Sequence, residues 1–294
     1  MSKSSKLCHK TFHPRSNIFC NLFDKIVKRP SLQFLGQCGY HYYEPRIYRT
    51  LANILRCLNL DGFDILLTDY IAFVEKSGYR FEENFNLEFT EICVNTILYW
   101  VFVRKGNPDF VELLLKKTKK DYAQDRSCNL AQRTFTPVYW PSPLSGITPL
   151  LYVAQTRQST ILKILLKYGI LEREKKPINT VLTILLYPLR MRITVDHVLE
   201  DIQEDAKTCL VLCFRVLSVI SIREIEVQLS LGRHPIISNW LDYIPSTRYK
   251  DPCELLHLCR ITIRAQLLTN NMLPNGIFSL LIPVRLQNYL NLES

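Results

Sequence analysis

Apolar residues recur every three or four positions along most of the chain, which is the spacing of one face of an α-helix. A clear instance is the group Ile47, Leu51, Ile54, Leu55 and Leu58. Strict alternation of apolar and polar residues, which is typical of strands, is rare. Glycine or proline interrupts the helical pattern often enough for short helices joined by tight turns, as at Gly62, Gly78, Gly106, Gly169 and Pro188. The pattern predicts an all-α protein.

The most regular unit spans residues 146–176 and begins with Gly-Ile-Thr-Pro-Leu. Gly146 suits a tight turn, and Pro149 suits the first position of a helix, where a missing N–H group costs nothing. Ala154 permits the close approach of a second, antiparallel helix. Gly169 suits the left-handed residue that follows that second helix. The unit resembles an ankyrin repeat almost from end to end.

A single ankyrin repeat does not bury its own apolar face, so the resemblance implies further repeats that have drifted from the pattern. A weaker repeat is predicted near residues 97–117, with its first helix over Ile97–Val103 and its second over 106–115. The interval to the next unit is longer than one repeat, which predicts an inserted loop over about residues 117–145. Weaker candidates for further repeat helices are Asp61–Tyr79, Ile178–Leu189 and Ala206–Ile220.

The segment 251–294 has a helical pattern of its own. It opens on Asp251, Pro252 and Glu254, which predicts a helix start with the aspartate as cap and the glutamate three residues later. An apolar stripe with a spacing of four follows at Leu255, Cys259, Ile263 and Leu267. His257 lies between stripe positions and is expected at the polar rim. A turn at 274–276 leads to a second apolar group and a short helix.

This segment resembles the SOCS box, a two-part module that recruits elongin C and a cullin. The family's Leu-x3-Cys-x3-aliphatic pattern is matched in an elongin C box over 251–267, and its Leu-Pro-aliphatic-Pro pattern in a cullin box over 280–290. The resemblance implies that elongin C contacts Leu255, Leu258, Cys259, Ile263 and Leu267. It implies that cullin 5 contacts Leu280, Leu281, Ile282, Pro283 and Leu286. Leu281 stands where the family has its first proline, which bears on the choice and strength of the cullin contact.

An ankyrin unit followed by a SOCS box is the architecture of the ankyrin repeat and SOCS box family. The resemblance covers essentially the full chain. It implies a basic N-terminal extension over 1–45, a short, degenerate ankyrin-type helical solenoid over 46–231 and a SOCS box region over 232–294. The implied function is that of a non-catalytic substrate-recognition subunit of a ubiquitin ligase. Its partners would be the elongin B/elongin C heterodimer, cullin 5 with its RING subunit, and an unidentified protein substrate marked for proteasomal degradation.

Two other interpretations stay open at this point. The terminal helix could cap the repeats of a protein-binding ankyrin scaffold without a ligase role, in which case Leu255 and Cys259 would be buried in the isolated chain. Alternatively, residues 1–30, with seven basic side chains against Asp24, could contact nucleic acid. No aromatic RNA-binding motif or zinc finger accompanies that tail, so nucleic acid is not expected as a partner.

A candidate substrate-binding patch lies in the predicted insertion, at Phe135, Tyr139 and Trp140. Aromatic side chains dominate the energetics of many protein interfaces, which favours such a role. Packing of the same three rings onto the repeats is the other interpretation.

The motifs that are absent and the residue composition limit the possible functions further. The motifs of nucleotide-binding loops, serine hydrolases and zinc proteases do not occur, so no cofactor and no catalytic residue is predicted. No apolar run reaches the roughly 18 residues of a membrane span, and the N-terminus lacks a signal-peptide pattern, which predicts an intracellular protein, cytoplasmic and/or nuclear. The ten cysteines include no Cys-x-x-Cys pair and are expected as buried thiols. The nearest zinc-like group, with irregular spacing, is Cys8, His9, His13 and Cys20.

Overall fold

A computed structural model of the chain describes residues 18, 19, 21, 40–77, 85–118, 146–186, 196–231 and 234–293. Within these ranges the regular structure is helical, and the only strand-like pairing is an isolated bridge between Leu186 and Pro235. The all-α prediction is confirmed. The chain forms two compact units, Met1–Gly146 and Ile147–Ser294, so the best ankyrin repeat and the SOCS box segment belong to the same unit.

The first unit contains two stacked helix pairs. Its elements are α1 (Tyr40–Arg56), α2 (Leu60–Ser77), α3 (Phe85–Tyr99), a π-helical extension of α3 (Trp100–Lys105) and α4 (Pro108–Lys117). Helix α1 packs on α3 and α2 packs on α4, so the first helices and the second helices of the two pairs stack separately. The centre is aromatic, with ring centroids 5.3–5.6 Å apart among Phe63, Trp100 and Phe110.

Several boundaries in this unit differ from expectation. Helix α1 begins at Tyr40, inside the segment assigned to the N-terminal extension. The candidate repeat Asp61–Tyr79 corresponds to one continuous helix, α2, and not to a helix pair. The helix predicted over Ile97–Val103 starts earlier, at Phe85, and Cys93 and Val94 already belong to its buried face.

The second unit repeats the stacking and adds the C-terminal segment. Its elements are α5 (Pro149–Thr156), α6 (Ser159–Lys167), α7 (Ile178–Leu185), α8 (Asp196–Phe214), α9 (Ile222–Ser230), α10 (Leu255–Thr269) and α11 (Val284–Leu290). Short 3-10 turns lie at Trp240–Tyr243, Ser246–Arg248 and Asn275–Ser279. Helix α5 packs on α7 and α6 packs on α8, which is the stacking expected of consecutive helical repeats.

The local features of the best repeat are as the sequence predicts. The Thr148 hydroxyl accepts a hydrogen bond from the Leu151 N–H at 3.2 Å, and Pro149 occupies the first turn of α5. Ala154 is fully buried between the helices. Gly169 follows α6 with a φ of +75°, a left-handed conformation that glycine adopts without strain.

The thiols divide between interior and surface. Cys93, Cys209 and Cys213 are buried, and burial raises the pKa of all three, to about 12 for Cys209. The prediction of buried thiols is wrong for Cys57 and Cys259, which are exposed. The zinc-like group near the N-terminus lies outside the described residues. No helix in the described ranges is both long enough and apolar enough to cross a bilayer.

Candidate functional site

The C-terminal segment has a small apolar core of its own. Leu267, Leu273, Ile277 and Leu290 are buried together, and partly buried side chains from α10 and from the approach to α11 pack against them. This core joins α10, the 3-10 turn at Asn275–Ser279 and α11 into one module. The module places two predicted binding segments, 251–267 and 280–290, in a fixed relation to each other.

The inward face of α10 is polar, which reverses the usual arrangement of a surface helix. His257, Arg260 and Arg264, spaced three and four residues apart, are all buried, and Arg264 is only 1% exposed. His257 was expected at the polar rim, and that expectation is wrong. Its Nε2 lies 3.0 Å from the Leu217 carbonyl oxygen, and burial lowers the pKa of the imidazole.

Arg264 joins α10 to three other parts of the unit. Its Nε and Nη2 donate to Oε1 of Glu172 at 2.8 and 2.6 Å. Its Nη1 donates to the Leu290 carbonyl at 3.0 Å, and its Nη2 also donates to the Leu166 carbonyl at 2.5 Å. These carbonyls lie in the last turns of α11 and α6, beyond the regular i+4 hydrogen bonds of the helix interior. The Leu166 carbonyl also accepts from the Gly169 N–H at 3.0 Å, so Arg264 adds a further bond there. A buried cation there donates hydrogen bonds to both carbonyls and complements the negative ends of both helix dipoles.

The same principle applies where α10 covers the end of α8. Arg260 donates from Nη1 to the Arg215 carbonyl at 3.1 Å, and its guanidinium stacks 3.3 Å from the centre of the Tyr289 ring. Burial lowers the pKa of Arg260 to about 10. Arg248, from the preceding 3-10 turn, donates to the Phe214 carbonyl at 3.3 Å. The inward face of α10 is therefore polar because it covers the carbonyl ends of other helices.

The predicted cap of α10 is wrong. The helix begins at Leu255, and neither Asp251 nor Glu254 makes a side-chain capping bond. Glu254 instead accepts from Arg248 Nη1 at 2.8 Å and from the Thr247 hydroxyl at 3.0 Å, and the contact with Arg248 lowers the pKa of the carboxyl to about 2. The carboxylate is thus engaged by the preceding 3-10 turn, and Glu254 itself is extended before the helix, with a ψ of 136°.

The outward face of the first two turns of α10 is apolar and exposed. Leu255 is 76% exposed, and Leu258 and Cys259, three and four residues later, are exposed beside it. Leu256, which the sequence reasoning missed, is exposed as well and enlarges the surface. The i, i+3, i+4 spacing explains why the side chains of Leu255, Leu258 and Cys259 adjoin. We call these three residues the α10 outer patch.

Two residues of the predicted elongin C surface do not share the exposed face of the α10 outer patch. Ile263 is half-buried against the module core, and Leu267 is buried within it. Steps of four residues advance about 40° around a helix with 3.6 residues per turn, so a stripe of three such steps rotates by about 120°. The stripe from Leu255 to Leu267 therefore turns from the solvent side to the interior, and only its N-terminal part forms an outward surface.

Some of the predicted cullin contacts are exposed and others are partly buried. Leu281 is fully exposed, and Pro283 and Leu286 lie at the surface close to it. Leu280 and Ile282 are partly buried and pack against the module core. Phe278 and Val284, which the sequence reasoning did not select, are exposed on either side of Leu281. The spacing of apolar residues gives no signal for these two, because it does not distinguish a solvent-facing from a core-facing position in so short a segment.

The remaining chemical candidates add nothing to this site. Among the described residues, no group of three His, Cys, Asp or Glu side chains is arranged to hold a metal ion. The candidate substrate patch at Phe135, Tyr139 and Trp140 lies outside the described residues, so it stays a prediction. The C-terminal module presents exposed apolar side chains on an internally hydrogen-bonded support, an arrangement typical of binding surfaces.

Comparisons with known proteins identify the C-terminal module and the chain's relatives. The family model of the SOCS box matches residues 251–291. Three relatives bear the name "Ankyrin repeat and SOCS box protein 17", from dog (Canis lupus familiaris), mouse (Mus musculus) and human (Homo sapiens), and are 88%, 85% and 84% identical to this chain. Each alignment covers 100% of both sequences. No solved structure matches the chain.

The helical body and the matched C-terminal module define a SOCS box adaptor protein. The ankyrin and SOCS box resemblance noted in the sequence is thereby confirmed. With full-length identities far above those that separate families, the chain belongs to the ankyrin repeat and SOCS box protein 17 family.

Proposed function

We propose that the chain is a non-catalytic adaptor that links a protein substrate to elongins B and C and to cullin 5 with its RING subunit. The observation that carries the proposal is the orientation of α10. Its buried face is occupied by bonded polar side chains, and its exposed face presents the α10 outer patch of Leu255, Leu258 and Cys259.

The free energy available at this patch suits a protein partner. Complete burial of a leucine side chain contributes about 1.5–3 kcal/mol, and Leu255 has most of its surface available for burial. Cys259 is small and lies one turn further along, so a partner is able to approach the helix closely there. A leucine entering an apolar pocket of elongin C, with the cysteine in a tight neighbouring space, fits this arrangement.

A cullin contact has its own exposed segment in the same module. Leu281 is fully exposed, while its neighbours Leu280 and Ile282 are held by the module core. The core thus fixes the backbone and leaves a projecting side chain for a partner. Because both segments share one core, elongin C and cullin 5 would be held at a constant spacing.

The adaptor would act by proximity. Holding a substrate lysine near a charged ubiquitin carrier raises the effective concentration of the reacting groups, and the chemistry belongs to other subunits. We place this activity inside the cell, in the cytoplasm and/or the nucleus, where the ubiquitin machinery operates. Proteasomal degradation of the substrate is the proposed consequence.

The alternative, an ankyrin scaffold whose last helix is only a cap, requires the apolar face of that helix to be buried in the isolated chain. The exposure of Leu255 and Cys259 weighs against it. Helix α10 does cover the ends of neighbouring helices, but it does so with His257, Arg260 and Arg264.

Co-expression with elongins B and C followed by size-exclusion chromatography tests the proposal. The wild-type chain is expected to elute as a stoichiometric complex. Leu255→Asp and Cys259→Asp should each lose it, since a carboxylate in an apolar pocket costs several kcal/mol and about 3 kcal/mol already weakens binding more than a hundredfold.

Leu231→Asp is the matched control, because Leu231 is 69% exposed in the same unit but lies outside the module. It should co-elute with the elongins like the wild type. A well-folded wild-type chain that elutes without elongins would refute the adaptor function. Co-elution of Leu255→Asp at wild-type stoichiometry would refute the assignment of the α10 outer patch.

A further inference from the structure

An open pocket of about 520 Å³ lies in the first unit, between α1 and the C-terminal end of α3. Four cationic side chains line it: Arg49, Arg56, Arg104 and Lys105. No carboxylate of a described residue is among its lining groups. A concave site with charges of one sign concentrates their field and attracts groups of the opposite charge.

The π-helical extension of α3 shapes one wall. At its end the Gly106 N–H donates to the Val101 carbonyl at 3.0 Å, a bond across five residues. Gly106 closes the turn in a left-handed conformation with a φ of 55°. The wide turn brings Arg104 and the adjacent Lys105 into the same pocket wall. Such segments are rare and are found disproportionately at functional sites.

These cations are not neutralised within the described part of the unit. No ion pair joins Arg49, Arg56 or Arg104 to a described residue, whereas Lys117 on α4 is paired with Asp64 at 2.9 Å. Two of the four cationic groups, on Arg104 and Lys105, lie over aromatic rings. The Arg104 guanidinium lies 5.6 Å from the Tyr99 ring centre, and Lys105 Nζ lies 4.9 Å from that of Phe110. The contact with a ring positions each cation but does not neutralise its charge.

We propose that this pocket binds an anionic peptide segment of the protein substrate, through carboxylate or phosphorylated side chains. The proposal rests on the proposed function, in which the helical body holds a protein for ubiquitination. Guanidinium groups bind carboxylates and phosphates through paired, charge-assisted hydrogen bonds, which single out such side chains from neutral ones. The Asn53 amide, exposed in the pocket lining, adds a donor and an acceptor suited to a peptide backbone.

Two of the three aromatic rings that line the pocket, Tyr99 and Trp100, argue against single-stranded nucleic acid as the ligand. Proteins that bind such strands offer exposed rings on which bases stack. Here Trp100 is buried against Phe63 and Phe110, with Lys105 Nζ 5.9 Å from its ring centre, and the Tyr99 ring is occupied by Arg104. Tyr48 is the third ring of the pocket and is partly buried, so four cations face one remaining ring and the pocket favours a charged ligand over stacked bases.

The test is fluorescence anisotropy on the full chain purified with elongins B and C. Four labelled probes are titrated: the octapeptide Glu-Asp-Glu-Tyr-Glu-Glu-Asp-Glu, its Gln/Asn counterpart, that counterpart with two phosphoserines, and an oligouridylate of eight nucleotides. The acidic and the phosphorylated arms separate the two sources of negative charge. The neutral peptide is expected not to bind. Affinity for the bound anionic probe should fall severalfold between about 50 and about 300 mM salt.

The diagnostic variant is Arg49→Glu/Arg104→Glu, which replaces two exposed cations of the pocket. It should weaken binding of the anionic peptide by at least about tenfold, because each attraction becomes a repulsion. The matched control Lys116→Glu/Arg223→Glu makes the same change in net charge at exposed positions outside the pocket and should bind like the wild type. Unchanged thermal unfolding verifies that all variants fold.

Three results would overturn the proposal: absence of binding of both anionic peptides to the wild type, equal loss in the control variant, and preferential binding of the oligouridylate. Co-purified elongin is measured in the same samples. If the wild-type chain co-purifies with elongins but does not bind the anionic peptides, the pocket proposal is wrong and the adaptor function is retained. If the chain does not co-purify with elongins but still binds the peptide through Arg49 and Arg104, the adaptor function is wrong and the pocket proposal is retained.

Discussion

Replacing Arg264 tests whether the buried polar face of α10 holds the C-terminal module in place. In Arg264→Met the methionine keeps much of the side-chain volume but removes four hydrogen bonds, two of them to Glu172. The Glu172 side chain is only 16% exposed, so its charge would be left largely buried without a partner. Breaking a buried ion pair in this way costs about 3–5 kcal/mol. That is a large part of the roughly 5–15 kcal/mol that stabilises a whole domain.

Urea unfolding of the full chain, followed by far-ultraviolet circular dichroism, measures this loss. Arg285→Met is the matched control, because Arg285 belongs to the same module but is exposed, and its free energy of unfolding should change by less than about 0.5 kcal/mol. Adding Glu172→Gln to Arg264→Met should recover at least about 1 kcal/mol, since the unpaired charge is removed. A loss below about 1 kcal/mol in Arg264→Met would refute the reasoning.

Two further predictions concern single positions. Gly169→Ala should destabilise the chain by about 2–4 kcal/mol in the same urea assay, because its φ is +75° and a Cβ atom there would lie 2.5 Å from Leu268 Cδ1. Gly146→Ala, with a φ of +77° but nothing within 4 Å, should cost only about 1–2 kcal/mol, and equal losses would contradict this account. Leu281→Pro should strengthen binding of cullin 5 to the immobilised elongin complex without loss of elongin. The exposed position and the extended Leu280 backbone, with a ψ of 135°, both accept a following proline. Unchanged or weaker cullin binding in surface plasmon resonance would oppose it.

Much of the fold follows from local rules that the sequence displays. The repeat at residues 146–176 is predictable because a capping threonine, a proline at the helix start and a left-handed glycine each act within a few residues. The all-α class follows from the helical spacing of apolar residues, and the module at 251–291 from the order of its two motifs. These features need no knowledge of what a segment packs against.

The orientation of α10 needs that knowledge. Its sequence contains an apolar stripe and a polar series, and the usual preference would bury the stripe. Over the first two turns the tertiary structure does the opposite, because the carbonyl ends of α6, α8 and α11 meet the helix and accept hydrogen bonds from its polar series. Only Ile263 and Leu267, at the other end of the stripe, pack into the module core. Likewise, the sequence pattern predicts that Glu254 caps the helix, whereas in the structure its carboxylate binds Arg248.

The sequence by itself determined the helical class, the best repeat and the presence of a SOCS box. Only the tertiary structure decided which apolar side chains are left for a partner. The physical reason is that helix periodicity reports which residues share a face, whereas the choice between interior and solvent depends on the groups that the face meets. At α10 those groups are carbonyls at the ends of other helices, so cationic side chains turn inward and Leu255 and Cys259 face outward.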